Sequence, residues 1–120
     1  MSKNRRKPLY HFTCSHGAEG LGRSGFLNPT PHPLLGSSLS WMTSLPDPAR
    51  DAVGLTSTIL DCDRMETRWK VTDQTRCRRW VDIRHEFNSD AVEILEAFSD
   101  PSSWWVASVP VPVRLAKDIR

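Results

Sequence analysis

A small α+β domain, built mainly on an antiparallel sheet with one or two short helices, is the fold class this 120-residue sequence predicts. Three observations predict it. The stretch TRWKVT (67–72) puts Thr67, Trp69 and Val71 on one side and Arg68, Lys70 and Thr72 on the other, the period of a strand buried on one face. RWVDI (79–83) alternates in the same way, with Val81 and Ile83 opposite Trp80 and Asp82. Ala91, Ile94, Leu95 and Phe98 instead recur at helical spacing, one apolar stripe with Asp90 as N-cap and Glu93 as the capping-box acid.

The remaining elements are read in chain order. Residues 1–7, MSKNRRK, form a basic arm; a single domain covers 8–115, and 116–120 is a tail. Leu9 to Thr13 reads as a strand, Tyr10 and Phe12 facing one way and Leu9, His11 and Thr13 the other. Ser15 to Ser24 reads as a helical turn that Gly17, Gly20 and Gly22 weaken, by roughly 1 kcal/mol each relative to alanine. Gly25 stops it, and Phe26-Leu27 begins another extended piece. The three prolines of NPTPHPLLGSS (28–38) leave no periodicity, so this is a surface loop whose length hints at function. Leu39 to Thr43 is a strand; Asp47 caps a short helix with Pro48 at its first position; Thr56 to Leu60 is another strand. Asp100-Pro101 ends the 91–98 helix. Trp104 to Val109 is the last strand, and Pro110 and Pro112 confine the segment after it to an edge.

Composition narrows the function classes. With 38% hydrophobic and 25% charged residues, the chain is that of a globular domain, not a disordered tail. It holds no apolar run long enough to span a bilayer, and no apolar stretch comes after the basic start, so a cytoplasmic protein without membrane contact is expected. Cys14, Cys62 and Cys77 are odd in number and form no C-x-x-C pair, which fits reduced thiols. Together with His16 they match no standard zinc spacing, and no metal is expected. The net charge of +2 is small, but its distribution is uneven: residues 64–84 hold seven basic side chains against three acidic ones. Basic segments of this kind bind phosphate backbones, although more often they are solvated surface.

Motifs narrow them further. No G-x-x-x-x-G-K-[ST] loop is present, and GAEGLGRSG (17–25) lacks the G-x-G-x-x-G spacing. Its position after a strand still lets backbone N–H groups approach a phosphate. His85-Glu86 has no second histidine four residues on, so a zinc-protease site is excluded. His11 and Thr13, on the same side of one strand, are placed to grip a ribose hydroxyl or amide together. The alternative for His11 is a half-buried ring bonded to a backbone carbonyl.

Leu9-Tyr10-His11-Phe12-Thr13, with Gly25-Phe26-Leu27-Asn28-Pro29 after it, resembles the opening of ADP-ribosyltransferase-like domains. Those begin with a Tyr-His-x-Thr strand, then a short helix, then a Gly-x-Leu-x-Pro step. Ser40-Trp41-Met42-Thr43-Ser44 resembles their second strand, so the likeness spans about residues 8–56 and is nearest to the small rifampin-modifying enzymes and RNA 2′-phosphotransferases. The resemblance implies an ADP-ribosyltransferase-like fold and an NAD-dependent mono-ADP-ribosyltransferase, or NAD-cleaving domain, acting on a protein or nucleic-acid acceptor. It assigns His11, with Thr13, to the nicotinamide-side ribose. Trp41, with Thr43 beside it, is assigned to nicotinamide stacking, although tyrosine or histidine is usual there. Asp82 is the candidate carboxylate that would stabilise the oxocarbenium-like transition state, ahead of Glu93 and Glu96. Arg23 or Arg50 would hold the pyrophosphate. Each assignment has a structural alternative: core packing for Trp41, an ion pair for Asp82, solvated surface for the arginines. No Glu-x-Glu or Gln-x-Glu stands on a later strand.

A different class competes. A non-catalytic module on the same scaffold would dock protein or nucleic acid through Trp69, Trp80, Trp104 and Trp105 and the basic strands, since tryptophan and arginine dominate interface hot spots. Chemistry on an RNA or DNA end is a third possibility, with the basic arm and residues 64–84 tracking the backbone. The transferase reading requires NAD and the binding module does not.

Overall fold

The alternation of residues 67–71 is realised without a break: Thr67, Trp69 and Val71 are buried, and Arg68 and Lys70 between them are half-exposed. In this computed structural model, which describes residues 7–13, 15–32, 34–45, 67–97 and 99–118, that segment is one strand of a mostly antiparallel sheet. The described strands are β1 (Tyr10–Thr13), β2 (Phe26–Leu27), β3 (Thr30–Pro31) and β4 (Ser38–Thr43), then β5 (Thr67–Val71), β6 (Arg78–Arg79), β7 (Trp104–Ala107) and β8 (Val111–Asp118). Three short helices accompany them: α1 (Ser15–Ser24), α2 (Trp80–Ile83) and α3 (Ser89–Glu96). The sheet runs β2-β8-β5-β1-β4-β7-β6, and β3 pairs with the start of β4 at Ser38 and Leu39. This is the α+β class expected; of the three described helices, only α2 stands where no helix is predicted.

Each face of the sheet buries its own core. On one face Leu9, Trp69, Val71, Val111 and Val113 pack with Leu21 of α1, so this is the α1 face. The glycine-rich helix forms despite its composition because it lies on apolar side chains; Gly22 sits where a Cβ would touch the Trp69 ring at 3.7 Å. Gly25, at φ +76°, ends it, and its N–H closes on the Leu21 carbonyl. On the other face Leu39, Trp104 and Val106 meet Trp80 and Ile83 of α2, with Val92 and Leu95 of α3 against them. This is the α3 face.

Residues 79–83 are not the strand their alternation predicts. Only Arg78–Arg79 pairs with β7, and Trp80 starts a helical turn. Trp80 and Ile83 are both buried, and residues three apart share a face in a helix but not in a strand. Burial of the indole thus decides the backbone. The third helix starts earlier than predicted. Asn88, not Asp90, is its N-cap, with Oδ1 accepting from the N–H groups of Asp90 (2.9 Å) and Ala91 (3.1 Å). The 28–38 loop holds a two-residue strand, turned back onto β4 by Gly36 at φ +69°.

The prolines do not restrict β8 to an edge. It lies between β5 and β2, pairing with β5 from Val71↔Val113 to Thr67↔Asp118 and with β2 only at Val111 and Pro112. It therefore crosses the 115/116 boundary assigned from sequence. The predicted helix after Asp47 and the predicted 56–60 strand lie outside the described residues, as do Phe98 and most of the basic arm.

Candidate functional site

Register divides the residues singled out from sequence between the two faces. Tyr10 is opposite Thr43 in the β1–β4 pair, and His11 is opposite Trp69 in the β1–β5 pair. Cross-strand partners share a face and neighbours along a strand do not. His11 and Thr13 are thus on the α1 face, whereas Trp41 and Thr43 are on the α3 face with Tyr10.

His11 is half-buried, and its Nδ1–H donates to the backbone carbonyl of Trp41 at 2.8 Å. The β1–β4 ladder consists of the single pair Tyr10↔Thr43, so the imidazole links the two strands beyond it. Thr13 lies against Gly17 of α1, and its carbonyl accepts from Thr67 Oγ1 at 2.9 Å. Trp41 packs in an aromatic cluster, its ring centroid 5.2 Å from Trp80, 5.9 Å from Trp104 and 5.7 Å from His32. Thr43 is buried and donates to Ser103 Oγ at 3.2 Å.

The charged candidates are engaged elsewhere. Arg23 pairs with Glu19 one turn earlier in α1, both well exposed, at 2.8 Å. Asp82 stands on α2, not on a strand, and accepts from Nε and Nη2 of Arg79 at 3.0 Å each. Of the two helix acids, Glu93 is exposed, and Glu96 accepts from the Trp80 indole and from Arg84. Arg50, Cys14 and Cys62 lie outside the described residues. Cys77 is buried, its thiol 3.5 Å from Met42 Sδ. The structure therefore joins His11 to Thr13 on one face and Trp41 to Thr43 on the other, with Arg23 and Asp82 tied to partners within their own segments.

The tryptophans named as a docking surface are largely internal. Trp69, Trp80 and Trp104 are buried, and Trp105 is half-buried against the α1-face core. They are the core of a small domain.

What the α3 face does present, over β1, β5 and β8, is a basic surface. In the β5–β8 ladder one cross-strand pair joins two basic residues, Lys70 and Arg114, and the register shifts between Trp69 and Arg68 on the same strand. Like charges in directly opposed positions destabilise a strand pair. Neither Lys70 nor Arg114 makes an ion pair with another described residue. On β1 the next residue in that row is Tyr10, the partner of Lys70, and the Arg68 guanidinium lies 5.2 Å from the Tyr10 ring centroid. Phe26 of β2, exposed and paired with Pro112, extends the same face past β8. Two aromatic side chains thus flank a strip of positive charge.

Half of this surface is legible in TRWKVT, whose polar side is Arg68 and Lys70. Arg114 and Phe26 are missed because β8 is not expected. Its own signal is the alternation Val111, Val113, Leu115, which the prolines at 110 and 112 obscure.

No helix among the described residues is long and apolar enough to cross a membrane. No family model, curated protein or solved structure matches the chain.

Proposed function

We propose that this chain is a non-catalytic binding module that holds single-stranded nucleic acid on the basic half of its α3 face. The observation that carries the proposal is the like-charged pair Lys70↔Arg114, placed beside the half-exposed ring of Tyr10. A fold tolerates opposed cations with no acidic partner among the described residues at a cost, and a phosphate lying between them reverses the sign of that cost. Tyr10 and Phe26 add π faces on which unpaired bases stack, a contact open to single strands and closed to a stacked duplex. Strands spaced about 4.8 Å apart put successive rows within reach of neighbouring nucleotides.

The test is fluorescence anisotropy with labelled ribo- and deoxyribo-oligonucleotides, single-stranded and duplex, across a salt series. The expected result is preference for single strands, with affinity falling as salt rises. Lys70→Ala with Arg114→Ala should lower the salt slope by about 1.4, from about 0.7 per cation removed. Tyr10→Ala should cost roughly 1–3 kcal/mol in binding. Equal competition by polyglutamate, or a salt slope unchanged in the double variant, would overturn the proposal.

A second reading, an NAD-dependent mono-ADP-ribosyltransferase with a macromolecular acceptor, is favoured by one observation. The Tyr-His-x-Thr strand leads into a helix and then into the extended Gly-Phe-Leu step, the order its resemblance implies. On this geometry the ribose would be met from the α1 face by His11 and Thr13, and Trp41 would take no part in stacking. Calorimetric titration of NAD into the protein and into His11→Ala, with nicotinamide release monitored in parallel, separates the two readings: the module needs no NAD.

A further inference from the structure

A cleft of about 460 Å³ opens on the α3 face, at the end of β4 away from Tyr10. Strands β4 and β7 pair as far as Ser40↔Ala107. Beyond that pair β4 turns toward β3 and β7 ends, so the gap between them is walled by the β3–β4 turn on one side. The other wall is β6 and the chain from Ile83 to Asn88. The floor is apolar, made by Leu39, Ile83, Phe87 and Val106. The lining also includes residues that carry donors, Arg76, Arg78, Ser37, Ser38 and Ser108.

We infer that this cleft binds a small organic phosphate, its ring or short chain on the apolar floor and its monophosphate between Arg76 and Arg78. The volume falls in the range of small-molecule sites, roughly 300–1,000 Å³, and an apolar floor with a few convergent polar groups is their usual lining. Arg78 is only loosely engaged, 3.9 Å from Glu86, with both side chains half or more exposed. Arg76 makes no hydrogen bond or ion pair with a described residue beyond its general attraction to Asp73. Two arginines lining one cleft, one without an ion pair to a described residue and one weakly held, match the several oxygens of a phosphate better than they match each other. Glu86 in the same lining offsets one of the two charges and selects against ligands bearing several. This site is separate from the proposed nucleic-acid surface, since Leu39 and the Tyr10 partner Thr43 stand at opposite ends of β4.

Phenyl phosphate serves as probe, with inorganic phosphate and phenol as its two halves. Titration of each into the isotopically labelled full chain, monitored by amide shifts and calorimetry, should show phenyl phosphate binding one to one and more tightly than either half. Its shifts should fall at residues 37–39, 83–88 and 106–108. Arg76→Ala with Arg78→Ala, both on the surface, should weaken it about tenfold or more, as expected for lost charge-assisted hydrogen bonds. Inorganic phosphate binding as well as phenyl phosphate, shifts centred elsewhere, or an affinity indifferent to both arginines would each overturn the inference. No measurable binding of phenyl phosphate would do so as well.

Discussion

The indole N–H of Trp80 donates to Glu96 Oε2 at 2.6 Å, and Arg84 reaches the same carboxylate at 3.0 Å from the outside. This relationship holds the α3 face together. Trp80 is fully buried, so its N–H must find an acceptor inside the fold. The acceptor comes from the last residue of α3, which fixes that helix over α2. Glu96→Ala removes the acceptor and leaves a buried donor, for a loss of about 1–3 kcal/mol in urea unfolding. Glu96→Gln keeps an acceptor oxygen and should lose less. An alanine variant as stable as the parent would mean that the indole is satisfied without Glu96.

Two glycines of α1 separate packing from propensity. A Cβ at Gly17 would collide with Thr13 Oγ1 and stand only 3.2 Å from Thr13 Cβ, so turning the hydroxyl away still leaves a contact tighter than ordinary packing. At Gly20 a Cβ meets nothing within 4 Å. Gly20→Ala should therefore stabilise by up to about 1 kcal/mol, the ordinary gain of alanine over glycine in a helix. Gly17→Ala should destabilise by about 1–3 kcal/mol despite the same gain. Thermal melts of the two variants should move in opposite directions.

Parts of this fold are legible in the sequence and others are not. Period-two alternation with strong contrast, as in TRWKVT, leaves one face for the core, and β5 obeys it residue by residue. In RWVDI the apolar residues support either period. The choice belongs to Trp80, whose burial against Trp41 and Trp104 depends on strands distant in sequence. Propensity also misleads at β8, where Pro112 lacks an N–H but loses nothing essential. Its carbonyl still accepts from Thr72, and the neighbouring Val113 N–H goes to Gly25. Candidate site residues were legible as types and not as an assembly. That His11 and Trp41 face opposite ways is a consequence of the registers Tyr10↔Thr43 and His11↔Trp69, which no local pattern encodes.

Stability should depend on pH through His32. Burial beside Trp41 lowers its pKa below the ordinary 6.5, and its Nδ1 accepts the Leu34 N–H at 3.2 Å, which requires the neutral ring. The unfolded chain takes up the proton first as pH falls. The contribution is therefore fully present above about pH 6.5 and is lost as pH falls from there through the lower folded value. His32→Asn offers Oδ1 in the place of Nδ1 and does not titrate, so it should keep the turn. As the pH falls below about 6.5, the denaturation midpoint of the parent should fall more steeply than that of this variant. Parallel pH profiles would show that His32 contributes nothing to acid sensitivity.

Arg114→Glu tests whether the paired cations of β5 and β8 are kept for a ligand. In the free protein the substitution replaces a like-charged cross-strand pair with Lys70 by an opposite-charged one, which should stabilise the fold by about 0.2–1 kcal/mol. Arg114 is exposed, so no core packing changes with it. Binding of a single-stranded oligonucleotide should move the other way, since a cation is lost and an anion is placed where a phosphate would lie. A variant that is more stable and binds more weakly, with the difference shrinking as salt rises, ties the charge pattern to an anionic ligand. Greater stability with unchanged binding would leave the Lys70↔Arg114 pair a fault in the sheet and would remove the observation on which the nucleic-acid reading stands.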